Sequence, residues 1–301
     1  MDQVKKQGVI FALLAYGMWG LAPLYFKQIA DIPSMEILVH RIIWSTLLLG
    51  IIIGVQKQWA SIRNVLRSPK TARLMLLSAS LIGFNWWLFI WSINNDHILD
   101  ASLGYYINPL LNVALGMLFL GERLSKLQYA AVGLAVTGVA IQLITFGSFP
   151  IIAFGLALSF AFYGLIRKTV AVDSVAGLLI ESLLLVTPAA LYWWFAADSY
   201  AVNMLENSLG LNLWLMTAGL VTTLPLLCFV AGTRRLNYST MGFFQYIGPS
   251  IMFMFAVFMY KEPMGQDRWV TFGFIWSALV VYSAATLQSL RKKSHSIEHA
   301  E

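Results

Sequence analysis

Charge is what this sequence has least of. Of its 301 residues, 11% are Asp, Glu, Lys or Arg, where soluble domains carry about 25%. The single cysteine, Cys228, excludes a disulfide framework and a Cys-ligated metal site. Also missing are a His-Glu-x-x-His helix, a Gly-x-Ser-x-Gly elbow and a phosphate-binding Gly-Lys-Ser/Thr loop. No catalytic site, cofactor, metal or nucleotide-driven motor is therefore expected. No polar stretch is long enough to be a soluble domain. Hydrophobic residues make up 59% of the chain, with 11 Trp and 19 Phe. An ordinary soluble enzyme, a disordered chain and a nucleic-acid binder are excluded together.

What is present is a series of apolar runs. A bilayer core takes about 20 apolar residues per helix. Ten stretches qualify: 7–26, 34–55, 71–93, 100–120, 126–145, 149–168, 175–196, 212–233, 239–260 and 267–289. They predict an all-α integral membrane protein with ten transmembrane helices. Ser68-Pro69 places a cap residue before proline at a first helical position. Ser125 with Gln128 reads as a capping box. Gly50 and Gly54 form a GxxxG pair that predicts close helix packing. The first stretch follows Lys5 and Lys6, yet it is too long for a signal peptide and lacks a small-residue cleavage site. The polar tail from Arg291 onward is expected to be disordered.

Orientation follows from where Lys and Arg fall. With the N-terminus inside, sixteen of the 20 fall in inside segments and three (Lys27, Lys261 and Arg268) outside, while Arg41 lies within a span. Both termini are therefore expected in the cytoplasm. The net charge of +6 is a topology signal that suits acidic lipid headgroups; the bilayer is a partner and nucleic acid is not. Asn237-Tyr238-Ser239 matches a glycosylation sequon, but on the inside face it is read as chance.

The two halves correspond at an offset of 140 residues. Tyr106-Ile107-Asn108-Pro109 meets Tyr246-Ile247-Gly248-Pro249, Glu122 meets Glu262, and Gly133 meets Gly273. The first helices agree only weakly, Trp19-Gly20-Leu21 against Tyr163-Gly164-Leu165. Each half has five spans, an odd number, so the second enters the membrane the opposite way round. Residues 1–146 and 147–290 are expected as inverted five-helix repeats, with 291–301 a cytoplasmic tail. Inverted repeats of this kind are known mostly from transporters, with the substrate site near mid-bilayer between the halves.

These features resemble the drug/metabolite transporter superfamily, EamA type, over essentially the whole chain. Gly17-Met18-Trp19-Gly20, Pro23-Leu24-Tyr25-Phe26, His40-Arg41 and Asn85-Trp86-Trp87 resemble its RarD branch, whose members are usually labelled chloramphenicol-sensitivity permeases of the bacterial inner membrane. The resemblance implies a small-molecule permease and a cavity lined by the third, fourth, eighth and ninth spans.

Candidate site residues follow from depth. Pro109 and Pro249 sit near the centres of the fourth and ninth spans, where proline removes a helix N–H and leaves the carbonyl four residues back without its normal partner. A hinge with exposed acceptors and a simple packing kink both fit; matched placement favours the hinge. Arg41 and Glu181 are charges within spans, again 140 apart, and such charges face a bundle interior and mark a pathway or a pair. Their backbones are offset by about 12 Å in depth at 1.5 Å per residue, so separate polar networks are favoured over a direct ion pair. Arg41 is the candidate contact for an anionic or zwitterionic substrate, and Glu181 the titrating group if protons are the coupling partner. His40, adjacent to Arg41, is a coupling or gate candidate because histidine titrates near neutral pH, but it points about 100° away on the helix, which favours packing. Asn85, Asn108 and Gln245 are favoured for the cavity; Asn112 shares their depth. Trp86, Tyr106 and Tyr246 are the aromatic candidates, the two tyrosines being one turn from the matched prolines. Glu122 and Glu262 end the fourth and ninth spans, as gate contacts or as electrostatic caps on the following helices.

The expectation is an alternating-access permease for a small amphipathic metabolite or drug. An uncoupled facilitator of amino acids or related metabolites is the alternative. A non-transporting membrane subunit and an intramembrane enzyme are more distant ones.

Overall fold

A computed structural model describes residues 3–29, 31–95, 97–147, 150–199, 201, 203–259 and 266–298. Among these there is no strand. The helices are α1 (Gln3–Phe26), α2 (Ser34–Gln56), α3 (Trp59–Arg67), α4 (Pro69–Asn94), α5 (Ile98–Leu120), α6 (Lys126–Phe146), α7 (Ile151–Thr169), α8 (Ser174–Phe195), α9 (Leu209–Arg235), α10 (Tyr238–Gln245), α11 (Ile247–Met254) and α12 (Gln266–Glu298). Ten segments are long and apolar enough to cross a bilayer, and they coincide with the ten stretches read from the sequence. α10, α11 and a π-helical turn at Phe255–Met259 together make the ninth.

Local chemistry sets several helix ends. The Ser68 hydroxyl accepts from the Thr71 backbone N–H with Pro69 at the first helical position. Ser125 and Gln128 form the reciprocal capping box. Asp173 caps α8 by accepting from Val175 and Ala176, and Ser208 caps α9 by accepting from Leu211. α5 and α6 stop at Gly121 and Gly147, with φ of 63° and 76°, where glycine avoids the Cβ clash of the left-handed region.

Three expectations change. Residues 291–298 continue α12 as helix where disorder was expected. Residues 59–67, read from the sequence only as connection, form α3, which carries Arg63 and Arg67 beside Trp59 and Leu66. A Cβ at Gly50 or Gly54 would meet open space, so among the described residues the GxxxG face packs against no helix.

Strong packing runs between the halves. α1 packs on α9 and α11, and α7 packs on α4 and α5; α2 packs on α8, α5 on α10 and α6 on α12. Exchanging each span for its counterpart 140 residues away leaves this scheme unchanged. Neither five-span half has a separate core, because each buries its small residues against the other. A Cβ on Gly219 of α9 would lie 2.6 Å from Trp44 of α2, and one on Gly242 of α10 would lie 2.6 Å from the Pro109 carbonyl of α5. Lipid offers no hydrophobic drive for helix association, so such close backbone approach is what holds the bundle.

A candidate substrate cavity

Five of the residues picked from the sequence meet in one place. Arg41, Asn85, Trp86, Asn108 and Gln245 all line a cavity of about 580 Å³, within the range of small-molecule sites. Pro249 lines it too, while Pro109 is buried behind it. The wall draws on α4, α5, α9, α10 and α11 as expected, and also on α1, α2 and α7, through Trp19 and Phe26, Arg41, and Phe160. Tyr106 and Tyr246 are not part of it. Tyr105, one position earlier, faces the cavity instead, since a single residue turns the side chain by about 100° on a helix. Tyr106 packs edge-on against Phe272, and the Tyr246 hydroxyl donates to the Tyr106 carbonyl at 3.2 Å.

The cavity occupies one end of the bundle. It runs from Tyr16, Thr222 and Leu226 toward Lys27, Ile32 and Ser34 at the first interhelical loop. The opposite end is packed shut by a cluster that includes Tyr163, Phe229, Tyr238 and Met241. Hydrogen bonds fasten that end. Glu122 accepts from the Tyr238 N–H at 2.5 Å, the Ser239 N–H at 2.9 Å and the Ser239 hydroxyl at 2.7 Å. The Tyr238 hydroxyl donates to the Ala161 carbonyl at 2.5 Å, and Lys168 Nζ donates to Thr233 at 2.8 Å and Leu236 at 2.5 Å. Glu122 thus caps α10, a helix of the other half, where the sequence pointed to α6 or a gate. Glu262 lies outside the described residues.

Arg41 is held by Thr222 and by two aromatic rings. Its Nε donates to the Thr222 hydroxyl at 2.8 Å, and its guanidinium lies 5.1 Å from the Trp86 ring centre and 5.6 Å from that of Phe26. Among the described residues no carboxylate pairs with it, and none lines the cavity, whereas Lys27 does. Asn85 donates its amide to the Leu156 carbonyl and the Ser159 hydroxyl. The Asn112 amide bridges Asn108 and Gln245, and Asn108 donates to the Ala157 carbonyl at 2.6 Å. These bonds fix the polar side chains that face an otherwise aromatic and aliphatic wall.

Glu181 is elsewhere. It lies 3.6 Å from Arg167 and accepts from Ser78 at 2.5 Å and Tyr163 at 3.4 Å. Arg41 and Glu181 therefore serve separate networks, and each occupies the equivalent place, seven residues past the start of its helix at Ser34 or Ser174. Sequence reading counted Arg167 only as a topology charge. The signal was there: Arg167 precedes Glu181 by 14 residues across a short turn, which lets its long side chain reach α8, where it donates to the Ser174 carbonyl at 3.2 Å. His40 is buried and meets Trp193 edge-on at 5.2 Å, away from the cavity. Glu36, which the sequence did not single out, is buried and accepts from the Ser199 N–H at 3.1 Å and from the Ser199 hydroxyl.

Ten spans around a cavity in which no described carboxylate faces Arg41 define a polytopic membrane protein. Residues 6–144 match the model of the EamA-like transporter family. The chain is 54% identical to the protein RarD of Salmonella typhi over 96% of its own length and 98% of that protein. It is 28% identical to the chloramphenicol-sensitive protein RarD of Pseudomonas aeruginosa, covering 97% and 98%. A crystal structure superposes with a TM-score of 0.72 at 16% identity, over 92% of this chain and 97% of that one, a likeness of fold alone. The chain belongs to the EamA-like transporter family, within the drug/metabolite transporter superfamily, as a RarD-like permease.

Proposed function

We propose that this protein moves a small amphipathic organic anion or zwitterion across the bacterial inner membrane by alternating access. The observation that carries this is Arg41: a guanidinium facing a cavity that no carboxylate among the described residues lines. A buried charge without a partner is costly, and a substrate carboxylate supplies the partner. The aromatic wall of Trp19, Phe26, Trp86 and Phe160 offers apolar surface to the rest of the ligand.

The exchange-symmetric packing supports two inverted five-span halves, residues 1–146 and 147–290. With the basic loops and both termini in the cytoplasm, the cavity opens outward and the Glu122 clamp closes the cytoplasmic side. The inward-open state then requires the contacts of Glu122 and Tyr238 to part. Pro249, three residues past the break between α10 and α11, is placed to let that movement occur. The test is flux in proteoliposomes loaded with a defined mixture of amino acids, 2-keto acids and chloramphenicol, read by mass spectrometry. Carboxylated members should cross in wild type and not in Arg41→Gln. Equal flux of every member with and without the protein rejects the proposal.

A further inference from the structure

Behind the cavity wall lies a second void of about 10 Å³, bounded among others by Ser45, Tyr163, Glu181 and Thr223, with Trp86 and Thr222 lining both spaces. That volume is room for one water molecule. The Thr223 hydroxyl is buried beside it without a hydrogen-bond partner, a condition that folded proteins seldom leave unrelieved. A water there would meet the Thr223 hydroxyl, the Ser45 hydroxyl and the Glu181 carboxylate, which is the number of polar partners that buried waters have.

We propose that Glu181 is a proton-binding site in communication with the substrate cavity through one buried water held by Thr223, across the wall made by Trp86 and Thr222. The water gives a proton to the carboxylate and recovers one from the cavity side. No other bond changes, and the Arg167–Glu181 pair goes from zero net charge to plus one. α7 presents Arg167 and Tyr163 to Glu181, and α4, which packs on α8, presents Ser78. Among the described residues, α2, α3 and α9 bring no charged group within ion-pair distance of it. The gained charge lies next to the wall whose other face holds Arg41, so it favours an anion in the cavity. By linkage, proton and anion then bind better together than apart, which is co-transport. The role in a cycle rests on the transport function proposed above; the proton site itself does not.

Infrared difference spectra of the purified protein between about pH 4 and about pH 9 should contain a protonated-carboxyl band that Glu181→Gln removes. Deuterium exchange of that band should slow by about tenfold or more in Thr223→Val and recover in Thr223→Ser. Thr223→Val keeps the side-chain shape and Thr223→Ser removes a single methyl, so both should elute as monodisperse species. Absence of a titrating band that depends on Glu181 overturns the proton site, and unchanged exchange in Thr223→Val overturns the water link. Wild-type liposomes that show the band but no flux of the carboxylate mixture support the proton site and reject the transport function beneath it.

Discussion

The Tyr246 hydroxyl donates to the backbone carbonyl of Tyr106, its own counterpart 140 residues earlier, at 3.2 Å. A residue that bonds to its counterpart lies close to any axis that exchanges the two halves. Pro109 leaves the neighbouring Tyr105 carbonyl, not this one, without its helix donor, so the bond adds a tie between α5 and the ninth span.

Tyr246→Phe should therefore cost about 1 kcal/mol, the net worth of one buried hydrogen bond, and lower the melting temperature in detergent by about 2 °C. Because neither tyrosine lines the cavity, ligand affinity should stay at the wild-type value. A changed affinity with an unchanged melt would place Tyr246 in the site after all.

Arg41→Gln should weaken binding of carboxylated ligands by about 30-fold or more, since truncating one partner of a desolvated charge pair costs about 2–5 kcal/mol. Arg41→Lys should restore little of this, because a lysine loses the planar stacking against Trp86 and Phe26. Isothermal titration with matched acid and amide ligands checks both. Equal losses for the acid and the amide would show that only packing was removed.

How far the sequence could be read depended on period and on face. The ten spans were legible because composition and length alone specify them, and the Ser125–Gln128 box because its spacing is local. Arg41, Asn85, Trp86, Asn108 and Gln245 were legible because a polar or amphipathic group at depth is costly unless it faces a cavity or a partner. The error at Tyr106 came from facing: proximity to a proline gave the depth but not the rotation, and Tyr105 is the residue turned inward. Thr222 and Thr223 escaped notice because hydroxyls in membrane helices usually bond their own backbone. Thr222 does so to Ala218 at 2.8 Å while also receiving Arg41. Glu122 was legible as a cap, but the capped helix follows only from long-range packing of α5 on α10.

Glu122→Gln should loosen the closed end. The neutral amide keeps one acceptor and loses the charge-assisted bonds to the first turn of α10. A weakened cap costs about 1 kcal/mol, so backbone amides at 238–241 should exchange with deuterium about fivefold faster. Mass spectrometry of peptic fragments resolves this segment. Unchanged exchange there, alongside unchanged flux, would reduce Glu122 to a passive contact.

Pro249→Ala should slow flux more than Pro109→Ala. Pro249 lines the cavity just beyond the interruption between α10 and α11, whereas Pro109 sits within the continuous α5 and is buried. A variant that restores the missing backbone donor stiffens the ninth span. Initial rates in liposomes, with insertion checked by protease mapping, separate hinge loss from misfolding. Wild-type rates in both variants would remove the hinge.

A chamber whose charged side chains among the described residues, Arg41 and Lys27, are both basic discriminates by sign before it discriminates by shape. A lipophilic quaternary ammonium or a dye such as ethidium matches the tryptophan-rich lining, but it meets electrostatic repulsion at the depth where charge is least screened. Bacteria overproducing this permease should therefore gain no tolerance to cationic biocides, however greasy those compounds are.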